Sequence, residues 1–340
     1  MPKRIALHIA VLLLAVLAGM FLAELRAPQR ATAQAPTKLK MQASWPPSST
    51  FMDNFRLFAD RVKKMSGGRL EIETLPAGAV VPAFEVVDAT HRNVIDGAHT
   101  WSGYLIGKHP AAVLFTGGLG GPFGMDLFDH LGWFYEGGGQ ELYQEWYEKI
   151  IQRDVVGFPI VPFTPQMFGW FKTPFKGWAD LKGRRFRAVG MNAQILKEAG
   201  AAVVSMAGGE ILPAGERGAI DAAEWCCPAE DIKLGFHQIW KYYYMPSMHE
   251  MTEAGDLIIN RKVWDKLGPE LQELVKITAT EVYLRWWLQY VNLNAKGLES
   301  LKPDADKLNS QSADLFKKID SAMKKANEYI ASLKSSRPPT

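Results

Sequence analysis

The chain has 340 residues, of which 47% are hydrophobic and 22% charged. That is a globular balance with room for two domains, and it argues against a disordered or fibrous chain. The formal net charge of +3 sits in the first 33 residues, where Lys3, Arg4, Arg26 and Arg30 outnumber Glu24, and the other 307 residues carry 35 basic and 35 acidic side chains. A body balanced in this way implies no basic face for tracking phosphates, which argues against a nucleic-acid partner.

Lys3 and Arg4 precede an apolar run from Ile5 to Leu22, and the small-residue steps Ala31-Thr32-Ala33 and Ala33-Gln34-Ala35 follow. This is the layout of a secretory signal peptide over residues 1–33. The rival is an uncleaved anchor, because the run approaches the ~20 residues that span a bilayer. No later stretch is long and apolar enough to span, so a soluble mature protein is expected outside the cytoplasmic membrane. The two cysteines, Cys226 and Cys227, are adjacent. A disulfide between neighbours strains an eight-membered ring, so they read as small buried thiols, with a vicinal redox pair as the alternative.

From Lys38 onward the pattern alternates strand and helix. Leu39, Met41, Ala43 and Trp45 share one strand face. Pro46-Pro47 end that strand, Ser48–Thr50 offer a cap, and Phe51, Phe55, Phe58, Val62 and Met65 fall at helical spacing before Gly67-Gly68. Leu70 and Ile72 mark a second strand, Phe84, Val87 and Thr90 a helix, and Val94–Thr100 a third strand. This β-α-β-α-β order predicts a mostly parallel sheet flanked by helices. After Asp154 the order starts again, with strands expected at Val155–Val161, Met167–Phe171, Arg185–Val189, Val203–Met206 and Ile220–Trp225. Short helices are expected at Gln194–Ala199 and Glu230–Phe236. The run Arg92–Ala98 (RNVIDGA) echoes Arg217–Ala223 (RGAIDAA), each with a Trp shortly after, which suggests two related lobes.

Pro269 opens the longest helix, with Glu270 and Glu273 in its first turn. If it runs to about residue 300 it is roughly 48 Å long and spans both lobes. A last amphipathic helix over 311–334 carries Leu315, Ile319, Met323, Ile330 and Leu333. The expected organisation is lobe I over 38–162 plus about 251–285, and lobe II over 163–250 plus about 286–310.

No nucleophile elbow, phosphate loop or His-Glu-x-x-His zinc helix is present, and Gly117–Gly124 (GGLGGPFG) lacks a dinucleotide-binding order. A secreted, two-lobed α/β protein without catalytic machinery points to solute binding. Four stretches then carry a family likeness: Trp101–Pro110 (WSGYLIGKHP), Gly121–Met125 (GPFGM), Asp180–Val189 (DLKGRRFRAV) and Gly218–Trp225 (GAIDAAEW). From about residue 38 to about residue 300 the chain resembles the substrate-binding subunits of tripartite ATP-independent periplasmic (TRAP) transporters, the DctP-like family. Gln166–Phe171 (QMFGWF) and Tyr242–Glu250 (YYYMPSMHE) resemble its metal-dependent branch, which binds small 2-oxo or 2-hydroxy acids. The resemblance implies a type II-like periplasmic binding protein that captures a carboxylate and delivers it to membrane permease subunits.

The resemblance places the carboxylate-binding arginine at Arg187, and a guanidinium fork suits that task. Arg184 is a neighbour, and Arg185 shares the Arg187 strand face by period 2, so it competes. The resemblance also implies a Ca²⁺ or Na⁺ ion held by Gln166, Glu224 and the Trp225 carbonyl, with Glu250 a further candidate. Oxygen donors of that kind suit a hard cation. Trp101, Tyr104, Trp170 and Phe171 are expected to wall the pocket, with core packing the competing role for at least two of them. The alternative from a different class is a secreted, metal-assisted enzyme acting on organic acids, with Glu224 or Glu250 as base. The C-terminal helix either joins a homodimer or packs back on its own chain.

Overall fold

The computed structural model describes residues 35–116, 124–247, 249–301 and Lys324. The expected signal peptide, most of the Gly117–Gly124 run and the expected C-terminal helix lie outside the described residues. The chain divides into two units, Met1–Pro36 and Thr37–Thr340. All that follows concerns the second.

Strand β1 (Thr37–Ala43) buries Leu39, Met41 and Ala43, the alternation its sequence shows. Ser49 caps helix α1 (Thr50–Met65) by accepting from the Phe51 amide at 3.1 Å, and Phe51, Phe55, Phe58 and Val62 face the core. Then come β2 (Leu70–Leu75), α2 (Val86–His91), β3 (Gly97–Thr100), α3 (Ala112–Thr116), α4 (Leu127–Glu136), α5 (Gly139–Glu145) and β4 (Val155–Phe163). A second group follows: β5 (Gly169–Phe171), β6 (Arg185–Arg187), α6 (Gly190–Glu198), β7 (Ala202–Val204), α7 (Gly208–Glu216), β8 (Ala222–Ala223), α8 (Pro228–Lys233), α9 (Phe236–Ile239) and β9 (Tyr242–Tyr244). The described chain closes with β10 (Glu253–Asn260) and α10 (Arg261–Ser300).

The strands form two five-stranded sheets, ordered β2-β1-β3-β10-β4 and β7-β6-β8-β5-β9. In each, the first three strands are parallel and the fourth runs against its neighbours on both sides. Four strands of each sheet therefore point one way. The two orders are equivalent position by position. The repeated RNVIDGA and RGAIDAA segments run into β3 and β8, which hold the same place in their sheets.

The chain passes between the sheets from β4 to β5 and again from β9 to β10. The two crossing segments are bonded to each other, with the Gln166 amide donating to the Glu250 carbonyl at 3.0 Å and the Ser247 amide donating to the Gln166 carbonyl at 3.2 Å. Helix α10 packs on β4 and α1 from the first group and on α8 from the second. Asn260 caps it, and Gly268 (φ 74°, ψ 164°) breaks it just before Pro269. The helix foreseen from Pro269 is thus preceded by two further turns. Cys226 and Cys227 are both free and buried.

His99 on β3 is fully buried. Its Nδ1 accepts from Trp45 Nε1 at 2.6 Å, so its Nε2–H donates to Asn54 Oδ1 at 2.8 Å. Burial pulls its pKa down to about 3, from 6.5. The folded state keeps this ring neutral while the unfolded chain protonates it below pH 6.5. Its contribution to stability is therefore complete above pH 6.5 and declines as pH falls toward 3. In His99→Gln, unfolding free energy against pH between 6 and 4 should be shallower by about 1.4 kcal/mol per pH unit. An unchanged slope in urea melts would show that His99 titrates alike in both states.

Candidate ligand-binding site

Strand ends from both sheets converge on one cavity. Trp45 follows β1, Trp101 and Tyr104 follow β3, and Phe163 ends β4. From the second sheet, Arg187 ends β6, and Glu224 and Trp225 follow β8. Gln166 and Glu250 come from the crossing segments, and Glu253 opens β10. These residues surround an empty space of about 360 Å³.

Arg187 is completely buried. Its Nε and Nη2 donate to the Met206 carbonyl at 3.2 and 3.1 Å, and Nη1 donates to the Glu224 carbonyl at 2.7 Å and to Glu224 Oε1 at 3.0 Å. Its guanidinium lies 5.2 Å from the centre of the Trp225 ring. These bonds use four of its five N–H groups, leaving one on Nη2. A two-pronged grip on a ligand carboxylate therefore requires Glu224 Oε1 to yield its place on Nη1. The competitors point elsewhere. Arg185 is exposed and pairs with Asp221 at 2.6 Å, and Arg184 is held at the surface by Asp180 and Thr173.

Three carboxyl groups share the cavity with this single cation. Burial raises the pKa of Glu224, opposed by Arg187 and by the Val189 amide. Burial and then the Glu224 charge push Glu250 up to about 8. Glu253 is raised well above the ordinary value by burial and by Glu250, to which it is hydrogen-bonded. Gln166 Nε2 donates to Glu253 Oε2 at 3.1 Å, while Gln166 Oε1 is buried without a hydrogen-bond partner. No cluster of three His, Cys, Asp or Glu side chains able to hold a metal occurs among the described residues. An amide oxygen lacking a donor, beside crowded carboxylates, is nevertheless the donor chemistry a hard cation takes. The residues therefore fit such an ion through Gln166 Oε1 and the Glu250 and Glu224 carboxylates.

Of the expected aromatic walls, Trp101 and Tyr104 line the cavity and meet edge to face at 5.1 Å. Trp101 Nε1 is buried without a partner. Its ring fills a slot in which a Cβ on Gly190 would lie 2.7 Å from the ring carbon Cη2. Trp170 and Phe171 do not reach the cavity. β5 lies between β8 and β9, so Trp170 stacks on Tyr243 at 4.2 Å and donates to Asp231 at 3.1 Å. Phe171 is buried in the core of the second sheet. Glu253 escapes sequence reasoning. Its only signal is an acid opening the run Glu253–Asn260, which also carries Asp256 and Asn260. Trp45, Phe51 and Phe163 also line the cavity, although their sequence pattern marks only core.

Two α/β sheets linked by crossing strands, with a buried arginine at a small cavity between their strand ends, define a solute-binding protein of the periplasmic type. Residues 41–332 match the family described as bacterial extracellular solute-binding protein, family 7, and the chain belongs to that family. It is 36% identical over 277 residues to a monocarboxylate 2-oxoacid-binding periplasmic protein of Nostoc sp., covering 82% of this chain and 74% of the relative. Its fold is similar to that of a TRAP periplasmic solute-binding protein of Pseudoalteromonas atlantica with bound sodium and pyruvate. That match has a TM-score of 0.74 and 28% identity and covers 89% of this chain and 90% of the other. A TRAP solute-binding protein of Bordetella bronchiseptica, with copurified calcium and picolinate, matches with a TM-score of 0.76 and 29% identity over 90% of this chain and 88% of the other.

Because three of the four Arg187 bonds go to backbone carbonyls and the fourth to Glu224, this side chain also holds the fold. Arg187→Met should cost about 3–5 kcal/mol of stability by leaving Glu224 buried and unpaired. Adding Glu224→Gln should recover part of that loss in denaturant melts. Equal stability of the single and double variants would show that Glu224 does not depend on Arg187.

Proposed function

We propose that the protein is the periplasmic receptor of a TRAP transporter, that it captures a small 2-oxo monocarboxylate together with Na⁺ or Ca²⁺, and that it presents the closed form to membrane permease subunits. The observation that carries this reading is the cavity itself, with one fully buried guanidinium, three carboxyl groups and an amide oxygen without a donor in a space of about 360 Å³. The N–H left on Arg187 Nη2 meets the solute carboxylate. Trp101 and Tyr104 exclude water, which strengthens every polar contact inside. Gln166 and Glu250, with Glu224, hold the cation, and the Trp225 carbonyl is a further donor. When bound, the cation offsets the carboxylates and supplies a positive centre for the solute oxygens. The halves of the molecule close by a hinge motion whose equilibrium the solute biases. Residues 1–33 serve as the signal peptide that delivers the chain to the periplasm. The Nostoc relative and the pyruvate-bound and picolinate-bound neighbours support the choice of solute class.

Thermal shift tests this reading. Pyruvate at 100 times its Kd should stabilise the protein by about 2.7 kcal/mol, and the acid should be recovered unchanged. Omitting Na⁺ and Ca²⁺ should weaken binding, and Glu250→Gln should reduce cation and solute affinity together, because the two are linked. Arg187→Lys should lose about 30-fold in affinity or more. No shift with any 2-oxo acid in either cation, or chemical conversion of the acid, would overturn the receptor reading.

A further inference from the structure

Glu230, at the start of α8, is fully buried, and no lysine or arginine pairs with it among the described residues. Four donors meet its two oxygens instead. Oε1 accepts from Ser49 Oγ at 2.5 Å and from Trp225 Nε1 at 3.2 Å. Oε2 accepts from the Thr50 amide at 2.8 Å and from Thr50 Oγ1 at 2.5 Å. Ser49 and Thr50 begin α1, which packs with the first sheet, whereas Trp225 follows β8 of the second. One carboxylate therefore bridges the two halves beside the cavity. Its neighbours belong to the cavity wall, since Phe51 follows Thr50 directly and meets the Trp225 ring at 6.4 Å, and that ring underlies Arg187 at 5.2 Å.

A buried carboxylate is tolerated only while its hydrogen bonds are made. Here three of the four come from the start of α1, which packs with the other sheet, so parting of the halves there breaks all three at once. Water then solvates the freed groups, and the open form strands no buried charge. The contact thus stabilises the closed arrangement alone, and the Trp225 indole ties it to the solute cavity.

We propose that Glu230 is a closure latch that clasps the start of α1 and slows reopening of the cavity over a bound solute. It is a positioning residue, acting through Trp225 and α1. The effect on solute release rests on the receptor reading above, whereas the effect on reopening does not.

Cys226 and Cys227 supply the measurement that needs no solute. They are the only two cysteines in the chain, both are buried, and Cys226 lines the cavity. A thiol reagent such as Ellman's should reach them only when the halves part. Glu230→Gln and Thr50→Val should each raise the labelling rate of the solute-free protein about tenfold. The double variant should be no faster than the faster single one, because the Thr50 Oγ1 bond that Thr50→Val removes is one of those the Glu230 carboxylate already accepts. The rates should respond weakly to low urea, as local opening does. Unchanged rates, additive effects or a steep urea dependence would each overturn the latch, and Thr50→Val decides the matter should Glu230→Gln fail to fold. In the solute arm, pyruvate should leave Glu230→Gln about tenfold faster with its association rate unaltered. Release at the wild-type rate would overturn the solute coupling. If pyruvate and other 2-oxo acids fail to bind even the wild type, the receptor reading fails while the labelling rates still decide the latch.

Discussion

A guanidinium with no access to water must find protein acceptors for nearly all its N–H groups, and this demand organises the second sheet around Arg187. The order β7-β6-β8 meets it. Arg187 ends β6, Met206 lies just beyond β7 on one side, and Glu224 lies just beyond β8 on the other. Because the three strands are parallel, their carboxyl ends lie together, and carbonyls from both neighbours arrive beside the side chain on the middle strand. An antiparallel strand on either side would present its amino end there. The Glu224 carboxylate supplies the remaining acceptor and balances the charge.

The pair alone would leave the cavity neutral. Glu250 and Glu253 upset that balance, and both are raised in pKa chiefly because burial disfavours their charge. An incoming carboxylate would add to the crowding. A proton or a metal ion can relieve it, and Gln166 separates the two. A proton shared between Glu250 and Glu253 satisfies those groups and leaves Gln166 Oε1 unbonded, whereas a cation beside Glu250 can also take Gln166 Oε1 as a donor. The hydrogen-bond deficit, rather than the net charge, favours the ion.

The sequence carried the fold further than the site, for identifiable reasons. Alternation in Leu39, Met41 and Ala43 and the helical spacing of Phe51, Phe55, Phe58 and Val62 record burial directly, so β1 and α1 were legible. Helix α7 was not, because Gly208, Gly209 and Pro213 read as breakers. Gly208 is there for another reason, since a Cβ would lie 2.4 Å from the Trp225 ring. Period 2 put Arg185 and Arg187 on one face of β6 and could not rank them. Asp221, brought beside Arg185 by the turn into β8, draws that side chain to the surface. Trp170 and Phe171 misled because adjacency to Gln166 along the chain is no guide to which residues of a central strand face the cleft. Glu253 and Glu230 were hidden by composition, since an acidic side chain is presumed exposed until its donors are seen.

The two sheets share one strand order, yet their strand ends carry different chemistry. β3 and β8 occupy equivalent places, and each is followed by a cavity tryptophan. Around Trp101 the first half offers mainly aromatic rings, Trp45, Tyr104 and Phe163, with Glu253 its one carboxyl, while around Trp225 the second offers Arg187 and Glu224. Fixed charges bind from a distance and need a preformed set of partners, and the Arg187 partners all come from the second sheet. Aromatic walls act only on contact, by excluding water. On the receptor reading proposed above, the halves would work in sequence, with a solute oriented by the charges of the second sheet before the rings of the first enclose it. A repeated fold diversified at its strand ends would thereby separate recognition from closure without requiring either sheet to change its topology.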